Sequence, residues 1–409
     1  MTSPDPAAAR IRPVVVLLGV LALAANLRTA LAGYPPLLET VRAQLGVSSG
    51  AAGLVQAGAV LMMAVGSFVG SGIGVRFGRE RAAGGAVGLV ALGSVLRAIP
   101  ALAPLIAGSL VVGLGIGLAG VLLAGIVKEH LAARAGAVTG GYVVAMMVGA
   151  TVASAVAVPL SVGLGGWSFS LAVWAVPAVV ACAVWAPVAL RVDRPDRSAP
   201  SVRLPWRDPF ARKAACYMSG TSLMFYGWLT WLSPYYESHG WSPQRAGLLL
   251  AVWSVAQIPA ALLAPVLAER RRRWRFWGSL TLACGLAGTL GALLLAEPGV
   301  VGPWPWAVLM GIGVGAGFPM GLTVIAWNTP DGATSAATSG FAMGIGYLAA
   351  GLGPLLMGVL IDLTGGYVAA IVVLLVAGAV QWLAIWRIGD RPDPATAPTG
   401  SPTAPRRAP

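Results

Sequence analysis

The chain has 409 residues, of which 57% are hydrophobic and only 10% are charged. Soluble domains carry charged residues at about a quarter of their positions, so this composition excludes an ordinary soluble protein and indicates a chain embedded in lipid. The formal net charge of +13 is typical of nucleic-acid-binding domains, but the arrangement of the basic residues favours another explanation.

Charged residues, prolines and glycines divide the chain into apolar runs of about 20 residues, the length that a membrane-spanning helix needs. The runs begin near residues 14, 51, 82, 103, 136, 167, 213, 243, 276, 304, 335 and 367. We therefore predict an all-α membrane protein with twelve transmembrane helices.

The longest polar interruption lies midway and is rich in proline and arginine. It predicts a cytosolic linker over residues 191–211. The linker separates an N-terminal six-helix half, residues 1–190, from a C-terminal six-helix half, residues 212–390. Residues 391–409 are of low complexity and are predicted to form a disordered cytosolic tail.

Basic residues predict the orientation of the chain. Of the 27 lysines and arginines, 23 fall in the tails and in alternate connections, whereas the opposite connections hold only Arg42 and Arg245. This bias follows the positive-inside rule and places both termini in the cytoplasm. Topology accounts for the basic charge, so we expect no nucleic-acid partner. Arginine greatly outnumbers lysine, which is typical of GC-rich bacteria and favours a bacterial plasma (inner) membrane.

The two halves resemble each other at an offset of 200 residues. "GLGIG" at 113–117 corresponds to "GVGAG" at 313–317, and "TGGY" at 139–142 to "TSGF" at 338–341. Glycines at matching depths favour close helix packing. "GIGLAG" at 115–120 satisfies the dinucleotide-binding pattern, but it lies in an apolar helical run and not after a strand, so we interpret it as helix packing.

Arg28 lies inside the first apolar run, 16 residues beyond Arg12, or about 24 Å along a helix. Burying a cation at depth costs roughly 2.5–3.5 kcal/mol or more, and no Asp or Glu lies deep in any predicted span. A guanidinium that faces a water-filled cavity suits a planar or linear anion or a nitro group. We predict that Arg28 binds substrate; the alternative is that it reaches out to the membrane surface.

The seventh and eighth spans add aromatic and polar candidates. Trp228, Trp231 and Trp253 are positioned to form a slot for a flat ligand, although Trp228 and Trp231 fit an interfacial belt equally well. Gln257 is predicted to be a polar group of the cavity. Ser242 and Pro243 are predicted to begin the eighth helix.

Two other polar residues are interpreted as structural. Arg97 lies near the outer end of the third span, beside Pro100 and a short loop, so we predict that its side chain extends to the membrane surface. Asn328 is predicted to end the tenth helix.

Parallel repeats of six helices are typical of major facilitator transporters. "SGIGVRFGRER" at 71–81 resembles the cytoplasmic-loop signature of that superfamily. It retains Arg76, Gly78 and Arg79, which we predict to take part in gating, but Val75 replaces the aspartate of the signature. A plain basic turn is the alternative.

Several motifs together resemble the cyanate and 2-nitroimidazole porter family of this superfamily over nearly the whole chain. They are "NLR" at 26–28, "WL" with Pro234 before "GWS" at 240–242, "AG-LL" with Gln257, "GFP" at 317–319, "GYLAAGLGP" at 346–354 and "DLTG" at 362–365. The resemblance implies a central cavity lined by the first, fourth, seventh and tenth helices. Family members commonly carry Asn and Gln where this chain has Gly120 and Met343.

These features predict a secondary transporter that moves a small cyanate-like anion or weak acid, or a nitroimidazole-like solute, by alternating access. A drug or metabolite exporter of broad specificity is the alternative, since it fits the aromatic content. The predicted substrate-binding residues are Asn26, Arg28, Tyr142, Tyr226, Trp231, Trp253, Gln257, Phe318, Met343 and Tyr347.

An enzyme is not expected, because His130 and His239 fall on opposite sides of the predicted membrane and no catalytic cluster is evident. We expect no cofactor, no metal site and no disulfide among Cys182, Cys216 and Cys284. The expected partners are the substrate and the lipid bilayer, with the protein acting as a monomer. Because no titratable group is evident in the cavity, we expect facilitated diffusion or coupling through the substrate's own protonation.

Overall fold

The computed structural model describes residues 13–131, 135–191, 205–271, 273–297, 299–330 and 332–389. Within these ranges the regular structure is helical, with short 3-10 turns at Pro35–Leu37 and Gly299–Val301. The α-helices are α1 (Pro13–Ala32), α2 (Leu38–Leu45), α3 (Ser49–Phe77), α4 (Arg79–Leu96), α5 (Leu102–His130), α6 (Ala135–Gly163), α7 (Trp167–Ala172), α8 (Ala175–Arg191), α9 (Pro209–Ser238), α10 (Pro243–Arg271), α11 (Trp274–Leu294), α12 (Trp304–Asn328), α13 (Gly332–Thr364) and α14 (Val368–Ile388). Most of the predicted linker and the whole predicted tail lie outside the described residues.

The predicted apolar runs coincide with helices, and each run begins within four residues of a helix start. As predicted, α10 begins at Pro243 and α12 ends at Asn328. Ten segments of the described chain are long and apolar enough to cross a membrane. The helices α4 and α9 are not among the ten, since α4 carries three charged residues in its first turn and α9 has many polar side chains. The all-helical membrane architecture is established, whereas the count of twelve spans stays a prediction.

Helices α1–α8 pack mainly with one another, and so do α9–α14. We call these the first group, residues 13–191, and the second group, residues 205–389. The packing of α5 against α3 and α4 in the first group corresponds to that of α12 against α10 and α11 in the second. The two groups meet along α3 with α13 and along α6 with α10.

The two glycine rows pack helices closely, but in a different register from the predicted one. A Cβ on Gly113 or Gly117 would strike the backbone of α3, and one on Gly115 would strike α4. Glycines of the two rows are equivalent when they contact corresponding helices. On this criterion the pairs are Gly113 with Gly311, Gly115 with Gly313, and Gly117 with Gly315. These partners are 198 residues apart rather than 200, because the glycine-rich rows align equally well in sequence when shifted by two residues.

The bundle has a basic end and a far end. The basic end is the end where helix termini carry Arg76, Arg79, Arg81, Lys213, Arg275 and Arg387. Of these, Arg81, Lys213 and Arg275 donate hydrogen bonds to backbone carbonyls of neighbouring helices. The far end holds Glu39, Arg42, Glu237 and Asp362. We use these two names below.

The two groups are joined at the far end by a carboxylate on a helix N-terminus. Asp362, near the end of α13, accepts hydrogen bonds from the backbone N–H groups of Ser49 at 2.9 Å and Gly50 at 2.7 Å, in the first turn of α3. Those N–H groups have no partner within their own helix, and the helix dipole attracts a negative charge there. Asp362 therefore fastens the second group to the first.

Candidate functional site

Arg28 projects from α1 toward the second group. Its guanidinium carbon lies 4.3 Å from the ring centroid of Phe225 in α9, and the side chain is half-buried. The ion pairs of the described chain join Arg42 to Glu39, Arg79 to Glu129, and His130 to Glu80. None of them involves Arg28, so this cation lies between the two groups against an aromatic face and without a carboxylate.

Phe225 belongs to an aromatic cluster that three helices contribute. Its ring meets Tyr226 edge-on at 4.9 Å and lies 5.2 Å from Trp253 of α10. Tyr226 in turn meets Tyr347 of α13 at 6.4 Å. We call Phe225, Tyr226, Trp253 and Tyr347 the aromatic cluster. It forms a wall of flat apolar faces beside one positive charge.

Two phenol groups lie within electrostatic range of the guanidinium, and a third interacts with one of them. The charge of Arg28 acts on the hydroxyls of Tyr226 and Tyr347, and Tyr142 of α6 interacts electrostatically with Tyr347. Tyr226 donates only to the sulfur of Met63, at 3.8 Å, which is a weak acceptor. Within the described ranges, the hydroxyls of Tyr142 and Tyr347 have no hydrogen-bond partner. These O–H donors are therefore available to a ligand.

Other predicted site residues lie away from this cluster. The Asn26 amide donates to Pro177 of α8 at 3.3 Å and to Ala22 at 2.8 Å, so it faces the interior of the first group. Trp231 donates to Pro354 at 3.0 Å, and its ring packs beside glycines of α3 and α13. Trp231 thus belongs to the contact between the groups near the far end.

Gln257 is buried and donates to the carbonyl of Trp253 at 3.3 Å, with its backbone packed against Gly315 of α12. Phe318 and Met343 are half-buried, and neither makes a ring contact or hydrogen bond with Arg28 in the described chain. Trp228 donates to Thr289 of α11 at 2.9 Å and is buried. Trp228 therefore forms neither a ligand slot nor an interfacial belt.

The predicted gating loop is tied to the first group. Gly78 has a φ of +88°, a conformation that glycine adopts without strain, and it separates α3 from α4. Arg79 pairs with Glu129 of α5 at 2.9 Å, and the next residue, Glu80, pairs with His130 at 2.8 Å. Arg76 lies 5.3 Å from the neighbouring Phe77 ring. Among the described residues, Arg79 and Glu80 bond to α5, and neither of them bonds to the second group.

The same ionic residues form the one cluster of the described chain with metal-ligating spacing. Atoms of Glu80, Glu129 and His130 lie within 4.8 Å of one another. Both carboxylates already have a basic partner, since Glu80 pairs with His130 and Glu129 with Arg79. The arrangement is that of an ion-pair network that fastens α4 to α5.

The prediction for Arg97 is wrong. Its side chain does not extend to the membrane surface but is only 2% exposed, and its Nη1 donates to the carbonyl of Ala30 in α1 at 2.7 Å. The arginine is buried because α1 offers it an acceptor and α5 covers it with Gly108, which has no side chain in its way.

Sequence reasoning did not single out Phe225 or Met63 as site residues. Both are ordinary apolar side chains within apolar runs, and nothing in their spacing distinguishes a ring that supports Arg28 from a ring of the core. The one available signal for Phe225 is that it precedes Tyr226, which is among the predicted substrate-binding residues.

The chain matches the family profile of the Major Facilitator Superfamily over residues 16–309. It is 30% identical to the 2-nitroimidazole transporter of Escherichia coli (strain K12), over 87% of this chain and 90% of that protein. It is 29% identical to the cyanate transport protein CynX of the same organism, with the same coverage.

Among solved structures, the fold is similar to that of a bacterial homologue of the human lysosomal transporter Spinster, with a TM-score of 0.73 and 17% identity over 93% of this chain and 99% of the other. The relatives are transporters and not enzymes. The chain is therefore a member of the Major Facilitator Superfamily, a multi-pass membrane transporter of the family that includes the cyanate and 2-nitroimidazole transporters.

Proposed function

We propose that this transporter carries a small anion or weak acid, or a nitro-substituted planar solute, and that Arg28 is the cation that binds it. The observation that carries the proposal is the position of Arg28, which lies between the two groups, over Phe225, and has no carboxylate partner in the described part of the chain. The substrate supplies the missing negative charge.

The energetics favour an anionic or nitro ligand. A cation over an aromatic ring gains about 0.5–2 kcal/mol, which does not neutralise the charge. A unit negative charge about 4 Å away gains roughly 4 kcal/mol at the effective dielectric of a protein site. The guanidinium donates in a planar fork that matches two oxygens of a carboxylate or nitro group, and the hydroxyls of Tyr142 and Tyr347 can donate further hydrogen bonds.

The shape of the site supports small, flat solutes. The aromatic cluster presents ring faces against which a planar ligand can stack, and aromatic pairs gain about 0.5–1.5 kcal/mol beyond their buried area. The relatives are named for a linear anion, cyanate, and for a planar nitro compound, 2-nitroimidazole. Both chemistries suit one arginine beside a wall of rings.

Transport by alternating access would rock the first group against the second around this site. We propose that the two groups are six-helix halves of a twelve-helix bundle, that the basic end faces the bacterial cytoplasm with both termini, and that the protein acts as a monomer. The far-end bond from Asp362 to α3 would then close the site toward the outside.

Counterflow in proteoliposomes tests the proposal, with [¹⁴C]cyanate and 2-nitroimidazole as probes and with and without a pH gradient. We expect saturable exchange of at least one probe in the wild type and its loss in Arg28→Gln. Exchange of a permanently charged anion that is strongly driven by the proton gradient would contradict the predicted absence of direct proton coupling. Export of unrelated drugs that is insensitive to Arg28→Ala would favour the broad-specificity alternative.

A further inference from the structure

Arg97 is a second arginine that has no carboxylate partner among the described residues, and it is more deeply buried than Arg28. It is the residue that caps the C-terminus of α4 and is 2% exposed. Its Nη1 donates to the carbonyl of Ala30 at 2.7 Å, whereas its buried Nε has no partner among the described residues. Removing a charge from water requires a compensating interaction, and here α1 provides it.

Two glycines give the Arg97 side chain its path to α1. Gly93 of α4 and Gly108 of α5 lie so close that a Cβ on either would come within 2.5 Å of the carbonyl oxygen of the other. A Cβ on Gly108 would also lie 2.9 Å from the Arg97 Cγ. The side chain therefore lies against the bare backbone of α5 and reaches the first helix.

At its destination the guanidinium meets the end of a helix. The carbonyl of Ala30 belongs to the last turn of α1, where carbonyl groups have no partner within the helix. A cation at a helix C-terminus is also favoured by the helix dipole. Arg97 thus serves as an unusual C-terminal cap, supplied by another helix.

A second hydrogen bond ties the chain just after this turn of α1 to another helix. Tyr34, just beyond the helix, donates its hydroxyl to the carbonyl of Ala52 in α3 at 3.0 Å. The next residues, Pro35–Leu37, contact α9 and α10 of the second group. Arg28 lies two residues before Ala30. One short segment therefore carries the substrate-binding cation, the cap from Arg97 and the contact with the second group.

We propose that Arg97 is a positioning residue, which fixes the last turn of α1. It thereby holds Arg28 over Phe225, and it holds residues 34–37, the Tyr34 segment, against the second group. Its effect on substrate rests on the proposed function of Arg28. Its effect on the Tyr34 segment does not, since that contact exists without a ligand.

The binding test compares Arg97→Met, Arg97→Gln and Arg97→Lys with the wild type in detergent. The matched control is Arg245→Gln, because Arg245 is an exposed far-end arginine that also lies over a ring, that of Trp241, at 4.4 Å. Dissociation constants are measured for sodium cyanate and for 2-nitroimidazole, together with the melting temperature. Lysine retains the charge and N–H donors, glutamine retains N–H donors without the charge, and methionine retains neither.

We expect the dissociation constant to rise about tenfold in Arg97→Met, to rise less in Arg97→Gln, and to stay within about threefold in Arg97→Lys and Arg245→Gln. A lower melting temperature with an unchanged dissociation constant in Arg97→Met would reduce Arg97 to a structural role and overturn the proposal. An Arg97→Lys protein whose dissociation constant is as high as that of Arg97→Met would also overturn the proposal. If Arg97→Met does not fold, the comparison of Arg97→Lys with Arg97→Gln decides in the same way.

A second measurement needs no ligand. Ser49 is fully buried where α3 meets α13 at the far end, so Ser49→Cys reports opening of that end when the native cysteines are replaced. We expect Arg97→Met to raise the rate of maleimide labelling at this position several-fold, and Arg97→Lys to leave it near the wild-type rate. If neither probe binds the wild type, the substrate proposal fails. The role of Arg97 is then decided by labelling alone, and an unchanged labelling rate in Arg97→Met would overturn it.

Discussion

At the scale of residues, Phe225 gives Arg28 a partner that does not neutralise it. The ring holds the guanidinium in place at 4.3 Å and leaves its charge available. In Phe225→Leu the cation–π interaction, about 0.5–2 kcal/mol, is lost while an apolar side chain remains. We predict that the dissociation constant for 2-nitroimidazole rises about three- to tenfold, measured by titration calorimetry.

The matched control for this change is Phe276→Leu. Phe276 is exposed near the basic end, in α11, and makes no contact with Arg28. The Phe276→Leu variant should therefore bind 2-nitroimidazole with the wild-type dissociation constant. Equal weakening in both variants would mean that the loss of any phenylalanine disturbs the protein, and the assignment of Phe225 to the site would then fail.

Gly108 provides a second prediction at this scale. In Gly108→Ala the new methyl group meets the backbone oxygen of Gly93 at 2.5 Å and the Arg97 side chain at 2.9 Å. Overpacking of this kind costs about 1–3 kcal/mol, so the melting temperature should fall by a few degrees. In Gly85→Ala and Gly88→Ala nothing lies within 4 Å of the new methyl group, and thermal stability should be unchanged or higher. A fall of the same size in these two controls would refute the close contact at Gly108.

Arg28 and Arg97 mark how far single residues could be predicted. Both lie 16 residues beyond another arginine in the sequence, Arg12 or Arg81, and the sequence singled out each as a cation within an apolar run. What distinguishes them is the neighbouring helix, which offers Phe225 to one and the Ala30 carbonyl to the other. A pattern along one helix carries no information about the helix that packs beside it.

At the scale of helices, the boundaries were predictable because charges, prolines and glycines interrupt the apolar runs. The contacts between helices were not. The glycine rows were recognised as packing surfaces, but their register differed by two residues, since glycines alternate along both rows and only the partner helices fix the alignment. The role of Trp228 was undecided for the same reason, since its hydrogen-bond partner Thr289 lies on another helix.

The bond between α13 and α3 makes its own prediction. Asp362→Ala removes two charge-assisted hydrogen bonds from the first turn of α3, each typically worth about 1.5–3 kcal/mol. Loss of even 1.4 kcal/mol shifts a conformational equilibrium tenfold. We therefore predict that Ser49→Cys is labelled at least about tenfold faster in Asp362→Ala. Glu269→Gln, an exposed acid at the basic end of α10, should leave the rate unchanged, and equal rates in the two variants would contradict the role of Asp362.

At the scale of the whole molecule, the proposed site is divided between the two helix groups. Arg28 comes from the first group, the aromatic cluster from the second, and Asp362 connects the groups at the far end. A site divided in this way changes whenever the groups move, since the distance from Arg28 to Phe225 depends on both. If Arg28 binds an anion as proposed, that binding would be coupled to the relative position of the groups.

The most direct test of the central claim is a binding titration of the purified protein with sodium cyanate and with 2-nitroimidazole, comparing the wild type, Arg28→Lys, Arg28→Gln and the control Arg245→Gln. The account predicts saturable binding of at least one probe in the wild type and in Arg245→Gln. It predicts a dissociation constant at least about tenfold higher in Arg28→Gln, with Arg28→Lys between them. An Arg28→Gln protein that is folded and binds the same probe with the wild-type dissociation constant would contradict it.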